Sequence, residues 1–211
     1  FNIMEKKADM VVCLTEDDML EYKHAKNITV IPNYINSPKY TVDNYAEKSV
    51  IAVGRLEEVK GFDRLIKMWK TIAEKHPDWC LHIYGDGSEK DKLQNIINEL
   101  RLQDKITLCG QTDNIQEKYA RHSIHVMTSR YEGLGLVMIE ANACGLPSVS
   151  FNFEYGASDI LKDGENGLLV PQNDRDMFIK ALDKMISSEK LRTTMGKKAA
   201  IMARKFYKEN I

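Results

Sequence analysis

The amino-acid sequence predicts an α/β fold in which about six parallel strands are wound by helices. From about residue 48 onward, short apolar segments alternate with longer segments of helical periodicity. The chain has 211 residues, 43% of them hydrophobic, which is enough to bury a core of its own. In such a sheet, ligands bind where the carboxyl ends of strands meet helix N-termini. The turns that follow the strands are therefore the predicted positions of a functional site.

Six apolar segments are the predicted strands: SVIAVG, WCLHIYG, KITLCG, IHVMTS, PSVSF and GLLVP. Six helices are predicted between or after these strands. The first runs from Gly61 to His76, the second begins at a capping box of Ser88 with Asp91, and the third covers NIQEKYAR. The fourth is the apolar segment after Glu132, the fifth begins at a cap of Asn173 with Asp176, and the last ends at about Lys205. Strands joined in sequence by helices form right-handed crossovers, which build a parallel sheet.

The first 47 residues have a different pattern. MVVCL (10–14) and ITVIPN (28–33) indicate two short strands, and Thr15 is typical of the start of a helix. Residues 36–47 are polar and aperiodic, so we interpret them as a linker and expect a domain boundary near residue 47. Because the chain begins with Phe1 and not with Met, we expect it to be a fragment.

Composition excludes several classes of protein. The net charge of −1 gives no overall basic field that would attract nucleic acid. No signal peptide and no apolar run of membrane-spanning length is present, so we expect a cytoplasmic protein, or one peripheral to the inner face of the membrane. The four cysteines are far apart and form no CxxC pair, which favours buried free thiols. Asp174-Arg175-Asp176 spells a DxD metal motif, but its place at a helix start favours capping, and we expect no metal.

The segment SRYEGLGLVMIEANACGLPSVSF carries the strongest signal. Residues 134–144 predict a buried helix that is apolar on every side, yet Glu140 lies within it. Gly133 and Gly135 leave the first N–H groups of this helix open to an anion such as a diphosphate. A carboxylate repels phosphate but accepts hydrogen bonds from vicinal hydroxyls, so Glu140 indicates a nucleotide with its ribose. Glu132 would face a sugar. The alternatives are a salt bridge for Glu140 and a surface-loop position for Glu132.

Two other turns follow predicted strands. In VGRLEEVKGF, Arg55 and Lys60 flank a loop before a helix, and Gly54 allows close approach of a ligand, which suits a phosphate. The alternative is a solvated loop in which neighbouring glutamates pair with the two cations. The turn YGDGSEK has too few glycines for a dinucleotide motif, so it predicts only a tight turn into a helix.

Four blocks in order resemble the carboxyl-terminal domain of retaining GT-B glycosyltransferases of family four: VGRLEEVKGFDRLI, YGDGSEKDKL, EGLGLVMIEANACGLPSVS and DGENGLLVP. The two-glutamate spacing, with seven residues between Glu132 and Glu140, is the signature of that family. The resemblance covers residues 48 to about 205. It implies a Rossmann-like sheet that is one half of a GT-B fold. It further implies that 1–47 is the remnant of an amino-terminal domain with its hinge, and that 48–211 binds nucleotide sugars but lacks the final crossover helix.

The resemblance also implies an activity: retaining transfer of a hexose or N-acetylhexosamine from a nucleotide-diphosphate sugar, with UDP favoured, in glycan or polysaccharide synthesis. The acceptor, a glycan or a lipid-linked molecule, would be held by the missing domain. No cofactor and no metal is implied. Arg55, Lys60 and Glu132 would be catalytic, Glu140 would bind the ribose, and the base would lie near CGQTDN (109–114). The implied donor-binding residues are Gly54, Arg55, Lys60, Gly110, Asn114, Glu132, Gly133, Leu134, Gly135, Leu136, Val137 and Glu140.

Two other functions remain open at this point: a nucleotide-sugar epimerase of the same architecture, and a non-catalytic module that binds nucleotide sugars. The block FEYGASDIL (153–161) resembles that of transferases for galactose-type or N-acetylgalactosamine-type donors. It departs from the usual pattern because Ala157 stands where relatives often carry proline. The identity of the sugar is therefore left open.

Overall fold

The computed structural model describes residues 2–153 and 156–211 and contains eight strands in those ranges. Glu154 and Tyr155 of the FEYGASDIL block lie outside the described residues. In chain order the strands are β1 (Val11–Cys13), β2 (Ile28–Val30), β3 (Ser49–Val53), β4 (Cys80–Tyr84), β5 (Ile106–Gly110), β6 (Ile124–Met127), β7 (Ser148–Asn152) and β8 (Gly167–Pro171). The α-helices are α1 (Asn2–Lys7), α2 (Glu16–Met19), α3 (Phe62–Lys75), α4 (Lys90–Glu99), α5 (Ile115–Ala120), α6 (Leu136–Ala143), α7 (Ala157–Ile160), α8 (Arg175–Ile186) and α9 (Glu189–Ala203).

Six of the strands form one parallel sheet in the spatial order β5-β4-β3-β6-β7-β8. This confirms the predicted α/β, Rossmann-like sheet of about six strands. The order reverses direction between β3 and β6, and the crevice at such a reversal is where ligands of this architecture bind. Continuous apolar strands are buried on both faces by helices, as residues 50–52 of β3 show, since they are fully inaccessible to solvent.

Helix α3 illustrates how sequence periodicity builds this core. Its apolar residues recur every three or four positions, and Leu65, Trp69 and Ile72 are completely or almost completely buried against the sheet. A second apolar cluster lies beneath α6, around Met138 and Ile139. No helix among the described residues combines the length and the apolarity needed to cross a bilayer.

Two predicted helix caps are wrong. Helix α4 begins at Lys90 after Glu89, without a side-chain cap from Ser88, because the Glu89 N–H donates to the Leu56 carbonyl at 2.8 Å. A loop distant in sequence thus supplies the acceptor. Helix α8 is capped by Asp174, not by Asn173.

Asp174 accepts a hydrogen bond from the Met177 N–H at 2.9 Å, so the capping interpretation of the DxD triplet is confirmed for its first aspartate. Asn173 instead adopts a left-handed conformation, with φ of 68°, and turns its side chain toward Arg64. Among the described residues, no cluster of three or more His, Cys, Asp or Glu side chains is placed to hold a metal ion.

Several residues between positions 2 and 47 contact the rest of the chain: the Val42 N–H donates to the Cys144 carbonyl at the end of α6, and the Ile35 N–H donates to the Phe206 carbonyl. Strands β1 and β2 pair with each other in parallel, and Thr15 caps α2 as predicted. The segment 36–47 has no regular strand or helix, but it is not a free linker, because the Tyr45 hydroxyl donates to the Gly145 carbonyl at 2.8 Å. The domain boundary near residue 47 stays a prediction.

All four cysteines are free. Cys13 and Cys144 are buried, as expected, whereas Cys80 and Cys109 are only half-buried.

Candidate functional site

A cavity of about 280 Å³ opens at the carboxyl ends of β3, β4 and β5. This is the edge of the sheet at which the sequence predicts a ligand. The residues that line the cavity are Val53, Gly54, Arg55, Tyr84, Gly85, Asp86, Gln111, Thr112, Ile115 and Glu140. Strand-end turns thus form its floor, and one carboxylate from α6 closes its side.

Two glycines explain the tight floor of this cavity. A Cβ atom on Gly85 would lie 1.8 Å from the carbonyl oxygen of Gly54, and one on Gly87 would lie 2.6 Å from that of Leu56. The backbones after β3 and β4 therefore touch, which only glycine permits. The YGDGSEK turn does more than lead into a helix, since it places Tyr84 and Asp86 in the cavity wall.

Glu140 is the carboxylate that faces this cavity. It lies in the second turn of α6 and is half-buried, and burial raises its pKa above the ordinary value for glutamate. Within the described part of the chain it makes no ion pair with a lysine or arginine. The structure thus does not support the salt-bridge alternative, and it leaves the carboxylate available as a hydrogen-bond acceptor.

A second cavity, of about 310 Å³, lies at the N-terminus of α6. Gly135 precedes the helix in a left-handed conformation, with φ of 72°, and offers no side chain as a cap. The N–H groups of Leu136 and Val137 donate no hydrogen bond to any described residue. They point out of the helix end, where the helix dipole and free donors favour an anion. The lining residues of this cavity are Leu14, Asn33, Lys60, Glu132, Gly133, Leu134, Gly135, Leu136 and Val137.

Lys60 and Glu132 meet in this second cavity. The Lys60 Nζ lies 2.6 Å from Glu132 Oε1, and the Ser129 hydroxyl donates to the same oxygen at 2.6 Å. The side chains of Lys60 and Glu132 are only 18% and 12% exposed, so Glu132 is not a surface-loop residue. An ammonium has three donors, and one is used here, which leaves two for an anion at the helix end.

Arg55 is placed differently. Its guanidinium pairs with Glu57 at 2.8 Å and its side chain is 73% exposed, so one of the two predicted cations does make the pair expected of a solvated loop. It nevertheless lines the first cavity. Gly54, in the wall of the first cavity, lies beside Lys60 of the second cavity, because a Cβ on Gly54 would contact Lys60 Cδ at 3.5 Å.

Two of the residues assigned to the base are not in the cavity wall. Gly110 accepts a hydrogen bond from the Gly85 N–H at 2.8 Å through its carbonyl, and Asn114 caps α5. Their neighbours Gln111, Thr112 and Ile115 line the cavity instead. Part of the predicted segment 109–114 therefore lies at this cavity, and the path of the loop decides which of its side chains face inward. Whether a base binds there stays a prediction.

Comparison with known proteins agrees with this geometry. The family model described as glycosyl transferases group 1 matches residues 37–202. The chain belongs to this family. It is 36% identical over 208 residues to an uncharacterized glycosyltransferase of Haemophilus influenzae, covering 96% of this chain and 59% of that protein. It is 35% identical over 200 residues to a poly(ribitol-phosphate) alpha-N-acetylglucosaminyltransferase of Staphylococcus aureus, covering 92% of this chain and 40% of that one.

Among solved structures, this group 1 glycosyltransferase chain resembles a Staphylococcus aureus TarM variant in complex with fondaparinux, alpha-GlcNAc-glycerol and UDP. The TM-score is 0.89 at 31% sequence identity, and the match covers 97% of this chain and 42% of TarM. The resemblance to the GT-B glycosyltransferases is thus confirmed, and the fold is one half of that architecture. The chain spans about half the length of the relatives it matches.

Proposed function

We propose that this chain is the donor-binding part of a retaining glycosyltransferase, which transfers a hexose or N-acetylhexosamine from a UDP-sugar to an acceptor in glycan or polysaccharide synthesis. One observation carries the proposal: Glu140, which pairs with no lysine or arginine in the part of the chain that the structure describes, lies along α6 from N–H groups at the helix start that donate to no described residue. A carboxylate accepts hydrogen bonds from hydroxyls, and a helix N-terminus binds phosphate. A nucleoside diphosphate offers both groups in this order.

In this proposal the nucleoside occupies the first cavity. Glu140 accepts hydrogen bonds from the ribose hydroxyls. The base lies against the far wall, where Tyr84 and Ile115 offer apolar surface and Gln111 and Thr112 offer polar groups. UDP is favoured because it is the nucleotide in the TarM structure.

The diphosphate and the sugar occupy the second cavity. Lys60 and the N–H groups of Leu136 and Val137 contact the phosphates, and Arg55 reaches them from the rim of the first cavity. Glu132 accepts hydrogen bonds from hydroxyls of the sugar. Gly133 to Gly135 contribute backbone rather than side chains, which leaves room for the ligand.

The chemistry follows from charge. When the bond between sugar C1 and the diphosphate oxygen breaks, positive charge grows on the sugar ring and negative charge grows on the leaving diphosphate. Lys60, Arg55 and the helix N-terminus stabilise that negative charge, which is the role a metal ion has in other transferases. The oxygen of an acceptor hydroxyl bonds to C1 on the face from which the diphosphate leaves, and the proton of that hydroxyl passes to the leaving diphosphate. Another part of the enzyme holds the acceptor.

Calorimetry with UDP, UMP, uridine, GDP and ADP tests the binding step on this chain. We expect UDP to bind more tightly than UMP, uridine, GDP or ADP. Incubation of the complete enzyme with labelled UDP-sugars and an acceptor then tests the reaction, and NMR of the product gives the anomer. Retention of the donor's α configuration supports the proposal. Epimerised donor, or binding without turnover, would instead support the epimerase or the non-catalytic module.

A further inference from the structure

Arg64 is a buried cation behind the candidate site. It lies in the first turn of α3 and is only 3% exposed. Its Nε donates to the Thr128 carbonyl at 2.7 Å, and its Nη2 donates to the Ser129 carbonyl at 2.6 Å. The planar guanidinium therefore holds two consecutive backbone carbonyls just beyond the end of β6, a task for which its fixed fork of donors is suited.

The other donors of Arg64 bind the loop after β8. Nη1 donates to Asn173 Oδ1 at 2.8 Å and Nη2 to Gln172 Oε1 at 3.1 Å, while the guanidinium carbon lies 4.3 Å from the centre of the Phe151 ring. All of these acceptors are neutral, and no carboxylate of the described residues forms an ion pair with this cation. Burial of such a charge is unfavourable unless its hydrogen bonds compensate. Here the carbonyls of residues 128 and 129 accept hydrogen bonds that compensate the burial of the charge, and these bonds order the backbone at the same two residues.

That backbone carries the contact between Lys60 and Glu132. The Ser129 hydroxyl donates to Glu132, and the Thr128 hydroxyl donates to the Gly61 carbonyl at 3.1 Å. A Cβ on Gly61 would lie 2.1 Å from the Thr128 carbonyl oxygen and 2.7 Å from Arg64 Nε. Arg64 thus lies where the loop of Lys60 crosses the loop of Glu132.

We propose that Arg64 is a positioning residue, which fixes the loop 128–132 so that Glu132 and Lys60 face the donor sugar and diphosphate together. It lines neither cavity, so it acts through the backbone of residues 128 and 129. The role in transfer rests on the proposed function, whereas the positioning of the two loops is a property of the chain itself.

The chain offers a matched control. Arg192 is also 3% exposed, its Nε donates to the Tyr45 carbonyl at 2.9 Å, its Nη1 donates to the Met185 carbonyl at 3.0 Å, and it lies 5.0 Å from the centre of the Trp79 ring. It therefore has the same chemistry at a place that lines neither cavity. Arg64→Lys and Arg192→Lys both keep the charge and remove the fork.

Two readouts separate positioning from general stability. The Arg130 amide donates to the Val59 carbonyl at 2.7 Å, so its hydrogen exchange in NMR reports the contact between the two loops. We expect Arg64→Lys to speed this exchange at least tenfold. It should also lower kcat of the complete enzyme by about 10- to 100-fold, with a smaller change in donor KM, because small displacements at a reacting centre have effects of this size. Arg192→Lys should leave the Arg130 exchange rate and kcat within twofold of the wild-type values.

If Arg64→Lys does not fold, Gln172→Ala replaces it. Gln172 supports the same loop through bonds to the Ser129 and Arg130 carbonyls, at 3.2 and 2.9 Å, and should give a smaller change in the same direction. Exchange and kcat no different from those of Arg192→Lys would overturn the proposal. A different outcome is also possible: Arg64→Lys speeds the exchange, but the wild-type chain binds no UDP. That result would support the positioning role and refute the proposed function.

Discussion

Lys60 and Glu132 form a largely buried ion pair, with Nζ and Oε1 2.6 Å apart, although 72 residues separate them in the chain. Each residue follows a different strand, and β3 and β6 are neighbours in the sheet. In the absence of ligand each charge neutralises the other. A ligand with a diphosphate beside a hydroxylated ring would engage both partners, because each has hydrogen-bonding capacity left.

Glu132→Gln separates the pairing of Glu132 with Lys60 from its proposed contact with the sugar. Removal of the carboxylate charge leaves Lys60 uncompensated beside the proposed phosphate site, so UDP should bind more tightly, by roughly 3- to 10-fold for a pair worth on the order of 1 kcal/mol. Sugar transfer by the complete enzyme should fall, because the sugar loses its charged acceptor. Calorimetry and initial rates on the same preparation measure both. Weaker UDP binding in this variant would contradict the arrangement.

Lys60→Ala should have the opposite effect on UDP. Loss of a charge-assisted contact at a partly buried site costs roughly 1.5–3 kcal/mol, which is tenfold or more in affinity. Arg55→Ala should cost less, below about 1 kcal/mol, because the side chain is mostly exposed and screened. Uridine affinity should not change in either variant. Lys48→Ala is the control. Lys48 is exposed, pairs with Asp78, and lies just before β3, at the end of the strand opposite to the cavities. Its loss should leave UDP affinity intact.

Glu140→Gln should stabilise the fold while it weakens binding. Burial raises the pKa of Glu140, so the folded state disfavours the ionised form. Ionisation of Glu140 therefore destabilises the fold increasingly as pH rises from the ordinary glutamate pKa toward the raised one. The variant should therefore unfold at a higher temperature than wild type at pH 7, with a smaller difference at pH 4.

The same variant tests the ribose assignment. UDP should bind less tightly to Glu140→Gln, and the preference for UDP over its 2′-deoxy analogue should shrink, since a neutral amide accepts more weakly from a hydroxyl than a carboxylate does. Calorimetry with both nucleotides measures this preference. An unaltered preference would mean that Glu140 does not contact the ribose.

The sheet could be predicted from sequence because its signals are local. Each strand of the large sheet is a short apolar run, and α3 repeats apolar residues at helical spacing. The caps of α4 and α8 could not be predicted in the same way. The acceptor for the Glu89 N–H is the carbonyl of Leu56, and Asn173 is drawn from its cap position by Arg64, so both outcomes depend on contacts between distant segments.

The candidate site likewise contains residues that the sequence could identify and residues that it could not. Glu140 and the glycines before α6 could be identified because they are unusual beside a buried helix. Tyr84 and Gln111 could not, since a tyrosine at a strand end and a glutamine in a loop are ordinary in any sequence. Arg64 was hidden for a similar reason: an arginine in a helix is ordinarily exposed to solvent, whereas the loop after β6 covers this one.

Donor binding should not require a divalent metal. Lys60, Arg55 and the N-terminus of α6 supply positive charge at the proposed diphosphate site, and Asp174 is engaged as a helix cap. UDP affinity should be the same with a chelator as with added Mg²⁺ or Mn²⁺. A strict metal requirement for turnover by the complete enzyme would restore Asp174 and Asp176 as candidate ligands.

His125 should make the fold sensitive to acid. It is fully buried, its Nδ1 lies 3.0 Å from the Ser148 hydroxyl, and its Nε2 has no hydrogen-bond partner among the described residues. Burial lowers the pKa of His125 to about 3, and burial likewise lowers the pKa of His122 to about 4. Both imidazoles are therefore neutral in the folded protein at pH values where an unfolded chain would protonate them.

The consequence for stability has a definite sign. As pH falls below about 6.5, the unfolded state binds a proton that the folded state refuses, so the free energy of unfolding decreases, with a limiting slope of about 1.4 kcal/mol per pH unit for each histidine. His125→Gln does not titrate and should flatten this decline between pH 6.5 and 4.5, whatever its stability at pH 7. Urea midpoints across that range measure the slope, and His24→Gln, at an exposed position, is the control. A decline as steep in His125→Gln as in wild type would show that His125 is protonated in the folded protein.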